Sequence, residues 1–270
     1  YPPQDPVNDF GILFIETSGC LPMCGHGTIG TVTIGLEEGL IQPKKPGEIR
    51  METPAGLVHI KYQKRADKVE WVQLTNVRSY LAASELSVVC PSIGELVFDV
   101  GYGGNFYVIV DPQKNFSGVE NYTASEIIGM SQKVRKLINE KYPDRFVHPE
   151  NSSIQGATHM LWTGNPLDPS SSGRNAVFYG DKAIDRSPCG TGTSARMAQL
   201  FEKGELSVGE DFIHESFIGS RFVGRIEDLA EIGGRQAIVP SIQGWAKVFG
   251  RNTISIDTDD DPYALGFQVI

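Results

Sequence analysis

Cys24-Gly25-His26-Gly27-Thr28-Ile29-Gly30 and Cys189-Gly190-Thr191-Gly192-Thr193-Ser194-Ala195 are versions of one another, both reading C-G-x-G-T. Each leads into a helix-forming run, Thr28 to Leu40 after the first and Thr193 to Lys203 after the second. Glycines in such a turn let the backbone come close to a ligand, and the threonine hydroxyl is expected to cap the helix. A cysteine at the mouth of the turn faces the unpaired N–H groups and partial positive charge of a helix N-terminus, which favour thiolate over thiol. The same N–H groups form a pocket for a small anion such as a carboxylate. Two such turns predict two lobes meeting across a cleft, each offering one sulfur to one small anionic substrate.

Outward from the first turn, Asp9 to Glu16 (DFGILFIE) reads as a buried strand. The helix after it carries Ile29, Val32, Ile34 and Leu36 as its apolar side and stops at Gly39. Its small, β-branched, sparsely polar residues predict a helix inside the fold. Strand signals follow at Glu48–Glu52, Leu57–Gln63 and Lys68–Leu74. Ala83 to Gly94 is aperiodic, contains Pro91, and reads as a link. Strands resume at Leu96–Val100 and Asn105–Val110. Ser125 to Lys141 predicts an amphipathic surface helix with Ile127, Ile128, Val134, Leu137 and Ile138 on one side. Further strands are expected at Ser153–Leu161, Asn175–Tyr179, Phe212–Phe217, Phe222–Ile226, Ala237–Pro240 and Thr253–Asp257, before a short apolar tail, Leu265–Ile270. The order of strand, cysteine turn, buried helix and strands occurs twice, as a duplication would produce.

At 270 residues with 40% hydrophobic content, the chain can bury a real core and has room for two modest lobes. A net charge of −9 argues against nucleic acid or an anionic membrane as partner. No apolar run approaches the ~20 residues of a membrane span. Four cysteines (Cys20, Cys24, Cys90, Cys189) fit a reduced cytoplasmic protein better than a disulfide scaffold. Cys20 and Cys90 read as ordinary packed residues.

Two thiols on opposite sides of one anion pocket suit inversion at a carbon beside a carboxylate. One thiolate removes the α-hydrogen while the opposite thiol delivers a proton to the other face. Two helix N-termini stabilise the charge developing on the carboxylate, and nothing in the sequence compels a metal or organic cofactor. Asp185, four residues before Cys189, and His26, two after Cys24, could hold a substrate ammonium or position a thiol. Asp185 could instead pair with Arg186, and His26 could cap a turn. A rival reading takes Cys20, Cys24, His26 and Cys189 as a zinc set in a non-catalytic metal- or ligand-binding protein.

At these residues the chain resembles the proline racemase family. The resemblance rests on Met23-Cys24-Gly25-His26-Gly27-Thr28-Ile29-Gly30 and on the run from Asp185-Arg186-Ser187-Pro188 through Cys189 to Ala195. Gly103-Gly104-Asn105-Phe106, His214-Glu215-Ser216 and Ile218-Gly219-Ser220 match more weakly. It implies an α+β fold of two pseudo-symmetric lobes of the diaminopimelate epimerase-like type, each with strands wrapped around a central helix and the site between them. The first lobe is expected over residues 1–91 plus 245–270, and the second over 92–244. Family members begin with a strand and a D-S-H-T-like segment upstream of the first cysteine, so the first lobe is expected to be incomplete here. The resemblance further implies a cofactor-independent homodimer or monomer without a metal, acting on a small-molecule substrate. Cys24 and Cys189 are then the acid–base pair, and Gly25, His26, Gly190 and Thr191 hold the substrate carboxylate. Asp185 with His26 faces the ring nitrogen, and His159 contacts a ring hydroxyl. Cysteine rather than threonine at position 189 favours a racemase or epimerase over a dehydratase. The segments around Gly173–Tyr179 and His214 are more like the 4-hydroxyproline 2-epimerases, with proline racemase the alternative.

Overall fold

Apolar and polar residues alternate between Glu48 and Thr75, and the chain there forms three antiparallel strands, one face against a helix and the other toward solvent. In the computed structural model, residues 1–16 and 19–266 are described. Strands β1 (Phe10–Gly11), β2 (Phe14–Glu16) and β3 (Gly19–Leu21) precede helix α1 (Gly25–Glu37). Then come β4 (Glu48–Thr53), β5 (Gly56–Arg65), β6 (Lys68–Thr75), β7 (Tyr80–Cys90), β8 (Gly94–Tyr102) and β9 (Phe106–Val110). Helix α2 (Ala124–Lys141) leads to β10 (Val147–His148), β11 (Asn151–Gln155), β12 (His159–Gly164), β13 (Gly173–Tyr179) and β14 (Ala183–Ile184). Helix α3 (Gly190–Glu202) is followed by β15 (Asp211–Glu215), β16 (Arg221–Ile232) and β17 (Arg235–Gly244).

One mixed sheet runs in the order β1-β4-β5-β6-β17-β16-β15-β13-β12-β9-β8-β7, with β14 beside β13. Most neighbours are antiparallel; β1–β4, β9–β12 and β13–β15 are parallel. The fold class is α+β. One core packs Ile29 and Val32 of α1 against Met51, Val58, Val72 and Leu74, closed by Ile226 and Ile242. A second gathers Phe98, Val100, Phe106, Ile127, Trp162 and Phe178 between the sheet and α2. A small third cluster, including Tyr107, Leu161, Val177 and Ala195, lies around Cys189 at the start of α3. Helix α2 is fixed at its start by a capping box between Thr123 and Glu126.

Strand pairing corrects several expectations. Ala83 to Gly94 is not a link: β7 and β8 form a hairpin turning at Pro91-Ser92-Ile93, pairing strands from either side of the expected boundary at residue 91. Val88 and Cys90 of β7 are buried in the second core, which outweighs the weak local pattern. Strands β16 and β17 join the first core, β17 by pairing with β6 and β16 by pairing with β17. Both cysteine helices start three residues earlier than expected, at Gly25 and Gly190. Ile34, placed on the apolar side, is exposed, and Thr28 and Thr33 are buried instead. The expected strand Ser153–Leu161 is split in two around Gly156, whose φ is +85°. Thr253–Asp257 forms no strand. Of the expected tail, residues 267–270 lie outside the described residues. Cys20, expected to pack, is exposed, whereas Cys90 is buried.

The starts of α1 and α3 touch. A methyl placed on Gly25 would lie 2.7 Å from the Cα of Gly190, and one on Gly190 would lie 2.9 Å from the Cα of Gly25. Those distances are well inside van der Waals contact, so only two hydrogens fit between the backbones. Gly25→Ala or Gly190→Ala should therefore cost about 1–3 kcal/mol of stability, read from urea unfolding, as over-packing does. A neutral result at both positions would mean that the helices do not meet this closely.

Candidate active site

Each cysteine is the N-cap of its helix, but the two are held differently. Cys24 has ordinary extended backbone (φ −139°, ψ 113°), and its sulfur accepts the Gly27 N–H at 3.4 Å. Cys189 sits at φ +63°, ψ 104°, a conformation strained for any residue with a Cβ, and its side chain makes no cap bond. The surroundings impose that geometry. Asn175 Nδ2 donates to the Pro188 carbonyl at 2.8 Å, and the Cys189 N–H donates to Ser187 Oγ at 3.1 Å. His214 lies 2.9 Å from Thr193 Oγ1, locking the first turn of α3. The motif threonines donate rather than cap: Thr28 to the Cys24 carbonyl at 2.8 Å, and Thr193 to the Pro188 carbonyl at 3.3 Å.

The two sulfurs share one cavity of about 580 Å³, within the size range of small-molecule sites. Cys24, Gly25, His26, His159, Asp185, Cys189 and Thr191 all line it. Gly190 stands directly behind, against Gly25. All eight expected site residues are thus in one place. Apolar residues Ile12, Leu13, Phe14 and Leu21 supply part of the wall. The first N–H groups of both helices converge on this point, and their dipoles add, favouring an anion.

His26 Nδ1 lies 3.1 Å from Asp185 Oδ2, so Asp185 pairs across the two turns rather than with Arg186. Asp185 is buried and also accepts the Ser187 N–H at 2.8 Å. Burial alone would lower the His26 pKa, but hydrogen bonds to Asp185 and Cys24 and their negative charges prevail, raising it to about 11. With 45% of the His26 side chain exposed, water screens part of this effect. His26 is an imidazolium at neutral pH. His159 goes the other way: burial, then the Arg135 charge, lowers its pKa to about 4 despite Asp185, leaving a neutral ring.

Burial, then the Asp185 charge, pushes the Cys189 thiol up. Helix N-termini acidify cysteines in general, but here removal from water wins, and Cys189 rests as the thiol. Sequence reasoning gave no role to three neighbours, of which Met23 and Asn105 stood in the quoted motifs and Tyr107 did not. Tyr107 Oη is 3.2 Å from Cys189 Sγ, Asn105 Nδ2 donates to the Met23 carbonyl at 2.8 Å, and Met23 itself is fully buried beneath the first turn. The signal was present in Gly103-Gly104-Asn105-Phe106-Tyr107. A methyl on Gly103 would strike the Thr191 carbonyl, and one on Gly104 would strike Met23 Cβ, so this loop wedges between the two cysteine turns. Among the described residues, no three His, Cys, Asp or Glu side chains converge to hold a metal ion, so the zinc set is not assembled. No helix among them is long and apolar enough to cross a membrane.

Two measurements check this geometry. Relief of the Cys189 backbone strain should leave Cys189→Gly more stable than Cys189→Ala by about 1 kcal/mol in urea, against the usual ranking of these residues. Equal or reversed stabilities would rule the strain out. The second measurement is acid sensitivity. His159 and His214, the latter lowered to about 3 by burial and then Arg196, bind protons in the unfolded chain before the folded one. The folded form is therefore favoured above the ordinary histidine pKa of 6.5. It loses up to about 1.4 kcal/mol per pH unit per histidine as pH falls toward the folded values. Urea midpoints at pH 7, 5.5 and 4.5 should fall accordingly, and less steeply in His159→Gln; an unchanged slope would show that His159 titrates freely.

The match to known proteins covers the whole cavity. The family profile described as proline racemase matches residues 1–268. The 4-hydroxyproline 2-epimerase of Spirosoma linguale is 60% identical over 270 residues, spanning all of this chain and 80% of that protein. That of Brucella suis biovar 1 is 59% identical over 269 residues, with the same coverage. A crystal structure of a hydroxyproline epimerase from Agrobacterium vitis with bound trans-4-hydroxy-L-proline superposes with a TM-score of 0.91. It is 30% identical, covering all of this chain and 76% of that one. A probable proline racemase from Agrobacterium radiobacter with bound carbonate gives 0.88 at 30% identity, covering 100% and 78%. A PhzF-family phenazine biosynthesis protein from Bacillus anthracis, 17% identical with a TM-score of 0.57 over 90% of this chain and 79% of its own, shares the fold alone. With its two cysteine turns facing one cavity, this chain belongs to the proline racemase family.

Proposed function

We propose that this chain epimerises 4-hydroxyproline at the α-carbon, trans-4-hydroxy-L-proline to cis-4-hydroxy-D-proline, with two cysteines and no cofactor. The observation that carries this reading is the presence of both cysteine N-caps on one small cavity, at abutting helix N-termini. The substrate carboxylate sits against the N–H groups of Gly25, His26, Gly190 and Thr191. There the fixed dipoles stabilise the charge that spreads onto the carboxylate as the α-proton leaves. Asp185, paired with His26, faces the ring ammonium. The neutral His159 ring offers a polar group to the ring hydroxyl.

In the first half-turn, the Cys24 sulfur removes the α-proton while the Cys189 thiol gives its proton to the opposite face of the carbon. The C–H electron pair passes into the carboxylate-stabilised carbanion and returns to form the new C–H bond. The sulfurs then exchange roles for the reverse direction. Cys24 already accepts a backbone N–H, which suits a base. Cys189, held protonated by burial, suits the acid. Four free thiols suit a reducing compartment, and we place the enzyme in the cytoplasm, as a homodimer or monomer.

Incubation with trans-4-hydroxy-L-proline in D2O should yield the epimer carrying deuterium at Cα, as proton NMR would show. Cys24→Ser and Cys189→Ser should each lower kcat at least a thousandfold, the thiol being the far stronger acid–base group near neutral pH. Near-normal turnover by either variant would remove that residue from the mechanism. Efficient turnover of proline but not of hydroxyproline would reassign the substrate.

A further inference from the structure

The mechanism uses both sulfurs but not the hydroxyl buried beside one of them. Tyr107 is fully buried, with Oη 3.2 Å from Cys189 Sγ and 2.6 Å from Thr191 Oγ1. Its ring packs on His159 with centroids 4.7 Å apart, and its backbone is paired on both sides, to β8 and β12. The hydroxyl is therefore held in place from both ends of the residue. Behind it stands Asn105, whose Nδ2 gives one proton to the Met23 carbonyl and lies 3.5 Å from Thr191 Oγ1. An amide nitrogen only donates. Thr191 Oγ1, accepting there, keeps its own proton, and Tyr107 Oη at 2.6 Å is a much nearer acceptor for it than Cys189 Sγ at 3.7 Å, which leaves the phenol proton for the sulfur. Every donor then points one way, from Asn105 through Thr191 and Tyr107 to Cys189.

Resting on the reading of Cys189 as an acid–base group, we propose that Tyr107 is a positioning residue that donates the hydrogen bond stabilising the Cys189 thiolate. Cys24 receives a backbone N–H from its own helix, whereas the strained Cys189 cap has no such bond. Among the donors that favour the Cys189 thiolate, the phenol at 3.2 Å comes ahead of the Gly192 N–H and the Thr191 hydroxyl. When the Cys189 S–H bond breaks and its proton forms the new C–H bond, the electron pair stays on sulfur. The Tyr107 O–H, already aimed at the sulfur, bonds to that pair, backed by the Thr191 O–H on Tyr107 Oη; no other bond is made or broken. The groups facing Cys189 are Asp185 on the preceding loop, Tyr107 and Thr191, and, around the same cavity, Cys24, His26 and His159. Burial keeps the Tyr107 phenol protonated, so it remains a donor throughout.

The test is the pH dependence of iodoacetamide alkylation at each cysteine, read peptide by peptide by mass spectrometry in wild type, Tyr107→Phe and Thr191→Val. Hydrogen bonds to charged groups are strong enough that Tyr107→Phe should slow Cys189 alkylation about tenfold below its plateau. Its midpoint should move up by about one pH unit while the Cys24 curve stays put. Thr191→Val should shift Cys189 in the same direction by less. The acid limb of kcat/KM should move up with it for the isomer on which Cys189 is the base. An unmoved Cys189 curve, equal shifts at both cysteines, a larger effect from Thr191→Val, or no alkylation of Cys189 at any pH would each overturn the assignment. Because alkylation needs no turnover, a protein inactive on hydroxyproline that still shows the Cys189 shift would sink the substrate and keep the role of Tyr107.

Discussion

The constraint on which the site depends is the contact between Gly25 and Gly190, where two helix N-termini meet with no room for a side chain. Two positive helix ends repel one another, and bringing them together is unfavourable unless an anion or anionic group sits between or beside them. That is the physical reason the C-G-x-G-T turn occurs twice. The first glycine permits the approach and the cysteine just before it lands on the rim. The loop Gly103-Gly104-Asn105, pressed against both turns, fixes their separation from the side.

Although the turns repeat in sequence, their surroundings do not. Cys24 is half-buried, bonded to an N–H of its own helix and neighboured by an imidazolium. Cys189 is 7% exposed, strained in its backbone, and packed among Tyr107, Leu161, Val177 and Ala195. One sulfur starts with a hydrogen bond suited to accepting a proton, and the other starts in surroundings that keep its proton on. Reactions that invert a centre need one of each in every half-turn. A duplicated motif set in two different environments supplies that.

The sequence made the site legible because its residues are contiguous: Cys24 to Thr28 and Asp185 to Thr193 bring their own glycines, caps and partners. Regular alternation likewise marked β4, β5 and β6, and a periodic apolar face marked α2. What escaped was non-local. Strand β7 has mixed polarity along its length, and its place in the sheet comes from pairing with β8. Ile34 faced outward because α1 turns Thr28 and Thr33 toward the core, where aliphatic residues were expected; the Thr28 hydroxyl is satisfied by the Cys24 carbonyl, whereas the buried Thr33 hydroxyl has no hydrogen-bond partner among the described residues. Tyr107 reads as one more apolar strand residue until β9 is placed beneath α3. The His214-Glu215-Ser216 segment is now explained by support: His214 anchors Thr193, and the Glu215 carboxylate accepts the N–H groups of Leu167 and Asp168.

The unbroken sheet has a thermodynamic corollary. Ladder bonds pass from β6 to β17 and on through β16, β15 and β13, so the strands around α1 and those around α3 belong to one hydrogen-bonded framework. Neither half can melt while the other keeps its full edge pairing. Cooperativity of this kind concentrates unfolding into a single shared event rather than two independent ones. The register of the two sulfurs is thus guarded by the global stability of the protein, not by the local stability of either turn.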